Sequence, residues 1–176
     1  MKNALILEAW YSKPKNNWYP WLKKELEKKG YEVFVPDLPT MQTKLPDMKK
    51  QLSFIEKNFK IDKDTIIFGH SLGTLLAMRL AEKHNYKKMF LVAGWDFNEL
   101  TTEHRLFWKT PIDHKKIKGN VYEIYCISSD NDPYITAITA GDMCKRLGGK
   151  IVLIKGKGHF TEKFGVTKIP QILKFI

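Results

Sequence analysis

The sequence has few cysteines and lacks long apolar runs. Its two cysteines are Cys126, inside an apolar run, and Cys144, on a helix-like segment, so no disulfide framework is expected. No stretch approaches the roughly 20 apolar residues that a membrane-spanning helix needs, and the chain begins at once with a strand-like segment. We therefore expect a soluble protein that is not exported and resides in the cytoplasm.

Arginine is also scarce, although the formal net charge is +11. It occurs only at positions 79, 105 and 146, while lysines are spread along the whole chain. Guanidinium groups suit bidentate contacts with phosphates and bases better than ammonium groups do. The charge therefore indicates a solvated, lysine-rich surface, and no specific nucleic-acid partner is expected.

The five histidines do not have the spacing of metal ligands. The sequence contains neither an H-x-x-x-H nor an H-E-x-x-H pattern. We expect no metal and no other cofactor.

The hydrophobic pattern alternates between strands and helices. Apolar runs typical of buried parallel strands occupy residues 4–7, 33–35, 65–68, 89–93, 121–127 and 151–154. Segments with helical spacing lie between them, at 19–29, 48–59 and 72–84. This order predicts a three-layer α/β/α sandwich around a mostly parallel sheet, with residues 1–176 forming one domain. Residues 94–119 break the alternation and are expected to form a small cap.

A G-x-S-x-G motif stands between the third predicted strand and the helix that follows it. It reads Gly69-His70-Ser71-Leu72-Gly73, the context that a nucleophile elbow requires. Glycines are needed on both sides of the sharp turn, and His70 is expected to support it. The motif predicts that Ser71 is a nucleophile and that the Leu72 amide is one donor of an oxyanion hole.

A serine nucleophile needs a base, and the base needs an acid that orients it. His159 lies in a glycine-flanked loop after the sixth predicted strand, where the general base belongs. Asp132 follows the fifth strand and is the preferred acid. Asp130, two residues earlier, and Asp96, after the fourth strand, are the alternatives, since each of these aspartates could instead cap a turn.

With these residues identified, the chain resembles the family of small serine hydrolases that includes retinoblastoma-binding protein 9. The likeness runs over nearly the whole length. Segments that carry it are 18–26, 37–39, 69–73, 132–134 and 158–160, reading WYPWLKKEL, DLP, GHSLG, DPY and GHF. The resemblance implies a compact α/β-hydrolase fold without a large lid, and hydrolysis through an acyl-enzyme.

The segment after the first strand departs from the pattern of many relatives. It reads Glu8-Ala9-Trp10, where those relatives have a His-Gly or Pro-Gly pair. The second oxyanion donor normally comes from this loop. The Ala9 amide and the Trp10 amide can both supply it, and Trp10 is the preferred donor. Glu8 could point inward, toward the oxyanion or a substrate amine, or lie on the surface beside Lys13 or Lys15.

Taken together, these features predict a serine hydrolase that cleaves a small ester, thioester or amide of an acyl substrate. An acyltransferase would use the same residues. Candidates for the substrate pocket are Glu8, Trp10, Tyr11, Trp95, Phe97, Trp108, Tyr134 and Phe160. The alternative is a binding or scaffold protein that has the hydrolase fold but little catalysis, an interpretation suggested by the sequence of residues 8–10.

Overall fold

Six strands form one sheet in the order β2-β1-β3-β4-β5-β6, and every neighbouring pair is parallel. The computed structural model describes residues 2–176. The strands are β1 Asn3–Leu7, β2 Glu32–Phe34, β3 Ile66–His70, β4 Tyr86–Val92, β5 Val121–Ser129 and β6 Lys150–Ile154. Each one overlaps a predicted strand, and the prediction of a mostly parallel sheet is confirmed.

Five α-helices of residues 2–176 connect or flank the strands. They are α1 Tyr19–Lys28, α2 Met48–Asn58, α3 Leu72–Ala81, α4 His114–Asn120 and α5 Ala137–Leu147. Capping side chains set three of their starts: Asp47 accepts a hydrogen bond from the Lys50 amide, Asp113 accepts one from the Lys116 amide, and Thr136 accepts one from the Thr139 amide. Within the described residues 2–176, no helix is long and apolar enough to cross a membrane.

The sheet separates two hydrophobic cores because successive strand side chains point to opposite faces. Leu5 and Leu7 of β1 point into a core shared with helices α2 to α5, whereas Ala4 and Ile6 point into the other. The second core packs against α1 and the 3₁₀ turn Pro170–Phe175. This arrangement confirms the three-layer sandwich.

Residues 94–119, predicted to form a cap, contain a 3₁₀ turn at Arg105–Phe107 and helix α4. The buried Arg79 of α3 holds this segment: its guanidinium donates to the carbonyls of Phe107 and Pro111, both at 3.1 Å. The same group pairs with Glu82 at 2.9 Å. The Asp113 amide of the segment also donates to Glu82, at 2.8 Å. The ion pair of Arg79 and Glu82 therefore fixes the segment to α3.

The parallel sheet brings the predicted functional residues together at one edge. Ser71 directly follows β3, Asp132 lies in the loop after β5, and His159 lies in the loop after β6. The carboxyl ends of parallel strands share an edge, which is where ligands bind in open α/β sheets.

Candidate active site

Ser71 occupies a tight turn between β3 and α3. Its φ is 51° and its ψ is −118°, a conformation that few non-glycine residues adopt, and its amide donates to the Val92 carbonyl at 2.9 Å. A Cβ at Gly69 would lie 2.6 Å from the Gly73 carbonyl oxygen, and one at Gly73 would lie 2.5 Å from the Leu7 carbonyl oxygen. The turn therefore needs both glycines, for steric reasons.

A chain of hydrogen bonds joins Ser71, His159 and Asp132. The Ser71 Oγ lies 2.8 Å from Nε2 of His159, and Nδ1 of that ring lies 2.9 and 3.1 Å from the two Asp132 oxygens. A carboxylate only accepts, so Nδ1 donates to Asp132 and Nε2 of the neutral ring accepts from the serine hydroxyl. Such an arrangement can remove a proton from the hydroxyl and stabilise the resulting imidazolium.

The Asp132 carboxylate is itself held in place by its own loop. Its Oδ1 accepts hydrogen bonds from the amides of Tyr134 at 2.9 Å and Ile135 at 3.1 Å. The side chain is buried, as is that of His159. The acid and the imidazole therefore have little freedom to separate.

The two alternative aspartates have other partners. Asp130 is exposed and accepts a hydrogen bond from the Gly156 amide at 2.8 Å. Asp96 accepts from Arg146 at 2.6 and 2.7 Å and contacts Nε2 of His114 at 2.6 Å. Burial acts to raise the pKa of Asp96, but hydrogen bonds from Arg146 and His114 outweigh it and hold this pKa below its ordinary value.

The loops after β5 and β6 are fastened to each other by side chains that the sequence analysis did not single out. Ser129 Oγ accepts from the Lys157 amide at 2.9 Å, and Asn131 Oδ1 accepts from the Gly158 amide at 2.8 Å. These bonds set the position of His159 relative to Asp132. In the sequence, the polar residues after β5 are the only indication of these hydrogen bonds, and they do not indicate which amides donate to Ser129 and Asn131.

Two further residues missed as site candidates lie beneath His159. The Tyr19 hydroxyl is 2.7 Å from Nδ1 of His70, and Nε2 of His70 is 2.8 Å from the His159 carbonyl oxygen. The Tyr19 oxygen also accepts from the Ala9 amide at 2.9 Å. His70 was expected only to support the turn, and Tyr19 belonged to an ordinary amphipathic helix in the sequence pattern.

The structure decides between the two orientations expected for Glu8. The side chain is fully buried and accepts from the Leu38 amide at 3.1 Å, so it is not a surface carboxylate beside Lys13 or Lys15. Burial raises its pKa to about 8. The negative charge of Asp37 also raises this pKa, whereas the hydrogen bond from Leu38 and the positive charge of Lys13 lower it without cancelling the effect of burial. Glu8 is thus directed toward Leu38 and is largely uncharged at neutral pH.

A cleft of about 610 Å³ opens above Ser71 and His159. Its walls are mostly apolar and aromatic. The other lining residues are Ala9, Trp10, Ser12, Trp95, Phe97, Glu99, Thr101, His104, Tyr134, Ile135, Thr161, Lys163 and Phe164. Of the predicted pocket residues, the cleft therefore includes Trp95, Phe97 and Tyr134, together with Trp10 of the expected oxyanion loop.

Four predicted pocket residues lie elsewhere, which corrects that part of the sequence-based expectation. Glu8 is directed toward Leu38, as described above. Tyr11 stacks on Trp10 but is 54% exposed, and Trp108 packs against the core on the α3 side of the sheet. Phe160 is fully buried in the opposite core. None of these four side chains lines the cleft.

One end of the cleft is polar. The Glu99 carboxylate accepts from Nε1 of Trp95 at 2.8 Å and from Nδ1 of His104 at 2.5 Å. Burial acts to raise the pKa of Glu99, but these hydrogen bonds leave it below its ordinary value. Across residues 2–176, His, Cys, Asp and Glu side chains do not gather in any group of three that could hold a metal ion.

Comparison with known proteins gives matches along nearly the whole chain. The family model described as serine hydrolase matches residues 4–176. The rat serine hydrolase RBBP9 is 30% identical over 148 residues, which span 82% of this chain and 78% of the relative. YdeN of Bacillus subtilis is 27% identical over 178 residues, spanning 97% of this chain and 92% of the relative.

Solved structures show the same fold. The crystal structure of the B. subtilis ydeN gene product has a TM-score of 0.88 at 23% identity, covering 99% of this chain and 96% of that one. Est1E of Butyrivibrio proteoclasticus, solved with ferulic acid bound, has a TM-score of 0.73 at 13% identity and covers 99% and 88%. At these identities the structures establish the fold alone.

Proposed function

The chain belongs to the serine hydrolase family, and from this premise we propose that it cleaves a small ester, thioester or amide through an acyl-enzyme on Ser71. The observation that carries the proposal is the continuous set of hydrogen bonds from the Ser71 hydroxyl through His159 to Asp132, at the floor of an open cleft. This combination activates a serine hydroxyl and gives a substrate access to it.

In the proposed mechanism, Ser71 Oγ attacks the acyl carbonyl carbon while Nε2 of His159 takes the hydroxyl proton. Asp132 stabilises the imidazolium through Nδ1. When the tetrahedral intermediate collapses, His159 returns that proton to the leaving group, and the acyl group stays on Ser71 as an ester. A water molecule, deprotonated by the same imidazole, then releases the carboxylic acid.

The backbone amides of Leu72 and Trp10 are the groups assigned to bind the oxyanion. Leu72 is the first residue of α3, where the amide has no partner within the helix and the helix dipole favours negative charge. The Ala9 amide is not available, because it donates to the Tyr19 hydroxyl. Among the described residues 2–176, neither the Leu72 nor the Trp10 amide has a protein acceptor. These two donors can therefore point at a substrate oxygen.

The shape of the cleft favours an apolar acyl group of modest size. Its volume of about 610 Å³ is in the usual range for small-molecule sites, and its walls include Trp10, Trp95 and Phe97. Aromatic walls of this kind bind apolar groups by removing them from water. We expect the substrate to be an acyl compound whose acyl chain lies against these rings.

A series of p-nitrophenyl esters from acetyl to octanoyl tests the proposal. The wild-type protein should hydrolyse at least one chain length, and Ser71→Ala should lose that activity while remaining folded. Mass spectrometry of the wild type after brief mixing with substrate should find the acyl mass on the peptide that contains Ser71. A folded wild type without turnover on any ester, and on matched thioesters and anilides, would contradict the proposal and favour the binding-protein alternative.

A further inference from the structure

We infer that Tyr19 and His70 are positioning residues that hold the oxyanion loop and the general base in register. The oxyanion loop is residues 8–10, and the inference rests on the function proposed above. Tyr19 contacts this loop through the Ala9 amide at 2.9 Å, and His70 contacts the general base through the His159 carbonyl at 2.8 Å. The 2.7 Å contact between Tyr19 and His70 joins the two sides.

The chemistry of the partners fixes the direction of each hydrogen bond. The His159 carbonyl can only accept, so Nε2 of His70 carries a proton and donates it. Burial lowers the pKa of His70 to about 3, so the ring is neutral and Nδ1 has only a lone pair. The Tyr19 hydroxyl must then donate to Nδ1, which leaves its oxygen to accept from the Ala9 amide.

Tyr19 and His70 are held rigidly because both side chains are fully buried. Trp18 packs against each of them, with ring centroids 4.9 Å from Tyr19 and 5.5 Å from His70. Asn17 donates to the Tyr19 oxygen at 3.3 Å, which adds a second donor to the hydroxyl. A displacement of either ring would leave a buried polar group unpaired, at a cost of about 1–3 kcal/mol.

A second connection runs parallel to the first. The backbone N–H of Asn17 donates to Glu162 Oε1 at 2.8 Å, and the backbone N–H of Glu162 donates to Asn17 Oδ1 at 2.9 Å. Asn17 also donates from Nδ2 to Ser12 Oγ at 3.1 Å, and Ser12 lines the cleft. Residues 12–19 are thus fastened to the loop that carries His159. Two members of this segment reach the oxyanion loop: the Tyr19 hydroxyl accepts from the Ala9 amide, and the Ser12 amide donates to the Ala9 carbonyl at 3.0 Å.

The neutral state of His70 is important for the proposed mechanism. Its ring centroid lies 5.7 Å from that of His159, which becomes positively charged when it takes the serine proton. A charged neighbour at this distance would oppose that step. His70 instead supplies one N–H to the His159 backbone and no net charge.

The experiment compares steady-state kinetics of Tyr19→Phe, His70→Leu and His70→Gln with the wild type on the best p-nitrophenyl ester. Tyr19→Phe and His70→Leu should lower kcat about 10- to 100-fold with KM within twofold, because misplaced catalytic groups reduce only transition-state stabilisation. His70→Gln keeps an N–H donor for the His159 carbonyl and should recover at least part of the loss in His70→Leu.

Tyr86→Phe is the matched control. The Tyr86 hydroxyl is also fully buried and donates to a backbone carbonyl, that of Ala77 at 2.9 Å, but at the opposite end of the sheet from the site. The Tyr86→Phe variant should have a lower melting temperature than the wild type, as Tyr19→Phe should, but an unchanged kcat. An active wild type whose Tyr19→Phe variant keeps its kcat would overturn this inference alone. A folded wild type without any turnover would overturn the proposed function and this inference with it.

Discussion

The Arg146 guanidinium binds both carboxylate oxygens of Asp96, at 2.6 and 2.7 Å. Asp96 follows β4 at the same edge of the sheet as Asp132, and its carboxylate is almost fully buried. The ion pair joins the loop after β4 to helix α5. Two acids at the same edge therefore have different partners: Asp96 pairs with the Arg146 guanidinium and with His114, whereas Asp132 pairs with His159, the imidazole that contacts Ser71.

Asp132→Asn and Asp96→Asn should consequently affect different properties. Asp132→Asn should lower kcat by about 10³- to 10⁴-fold with little change in stability, because an amide can stabilise the wrong tautomer of His159 and cannot stabilise its charge. Asp96→Asn should leave kcat within about threefold and reduce the free energy of unfolding by about 1–3 kcal/mol. Ester kinetics and urea unfolding of both variants check this. If kcat were instead lost in Asp96→Asn alone, Asp96 would be the catalytic acid.

Glu8→Gln should change how stability depends on pH. The pKa of Glu8 is about 8 in the folded protein, because of burial, against an ordinary value of 4.5. Between these values the folded protein holds a proton that the unfolded chain has lost, so the free energy of unfolding falls as pH rises, by up to about 1.4 kcal/mol per pH unit. Glutamine does not ionise, so this fall should disappear.

Urea unfolding at several pH values from 4.5 to 9 measures the effect. The difference in stability between Glu8→Gln and wild type should grow in favour of the variant up to pH 8 and then level off. Glu32→Gln, at an exposed position on β2, is the control and should follow the wild type. Parallel curves for Glu8→Gln and wild type across this range would show that Glu8 ionises normally.

The elbow glycine Gly73 should not tolerate a side chain. The Cβ of Gly73→Ala would lie 2.5 Å from the Leu7 carbonyl oxygen and 2.7 Å from that of Glu8, both in backbone that cannot move without disturbing β1. We expect a loss of about 3 kcal/mol or more in stability. Gly119→Ala is the control: among the described residues 2–176, its Cβ would have no neighbour within 4 Å apart from the adjacent residues and the backbone of its own helix. Alanine in α4 should add up to about 1 kcal/mol to the free energy of unfolding. Thermal unfolding of both variants distinguishes the two effects, and equal melting temperatures would refute the steric argument.

Phe97→Ala should raise KM for the longest esters. Phe97 lines the cleft yet is 47% exposed, so its truncation removes apolar contact with a long acyl chain without opening the core. We expect KM for the octanoyl ester to rise about 3- to 10-fold with kcat unchanged. Leu100→Ala, at an 85% exposed position in the same segment, should have no effect. If both variants bind the octanoyl ester like wild type, the acyl chain does not lie against Phe97.

Much of the fold could be predicted from the sequence because apolar runs and helical spacing alternate clearly. The ends of the elements differ more: α3 was predicted to reach residue 84 but ends at Ala81. Helix α4 was not predicted, because its seven residues are mostly polar and only Ile117 is buried. The expectation of a cap at residues 94–119 rested on this weak pattern. Several residues between 95 and 104 line the cleft, while α4 contacts α3.

The placement of Ser71, Asp132 and His159 next to one another follows from their positions after parallel strands. The supporting contacts could not be predicted in this way, since Tyr19 reaches His70 across 51 residues and Asn131 reaches Gly158 across 27. Such pairs depend on how the loops fold over the sheet edge. The burial of Glu8 has the same origin, because the carboxylate turns toward the Leu38 amide in the loop after β2.

The most direct test of an activated serine is labelling of the purified protein by a fluorophosphonate probe. We predict that the probe labels the wild type at Ser71 and that labelling is lost in Ser71→Ala and His159→Ala. The matched controls Ser53→Ala and His84→Ala, which alter side chains away from the site, should label like the wild type. A folded wild type that is not labelled, or labelling that persists in Ser71→Ala, would contradict the central claim.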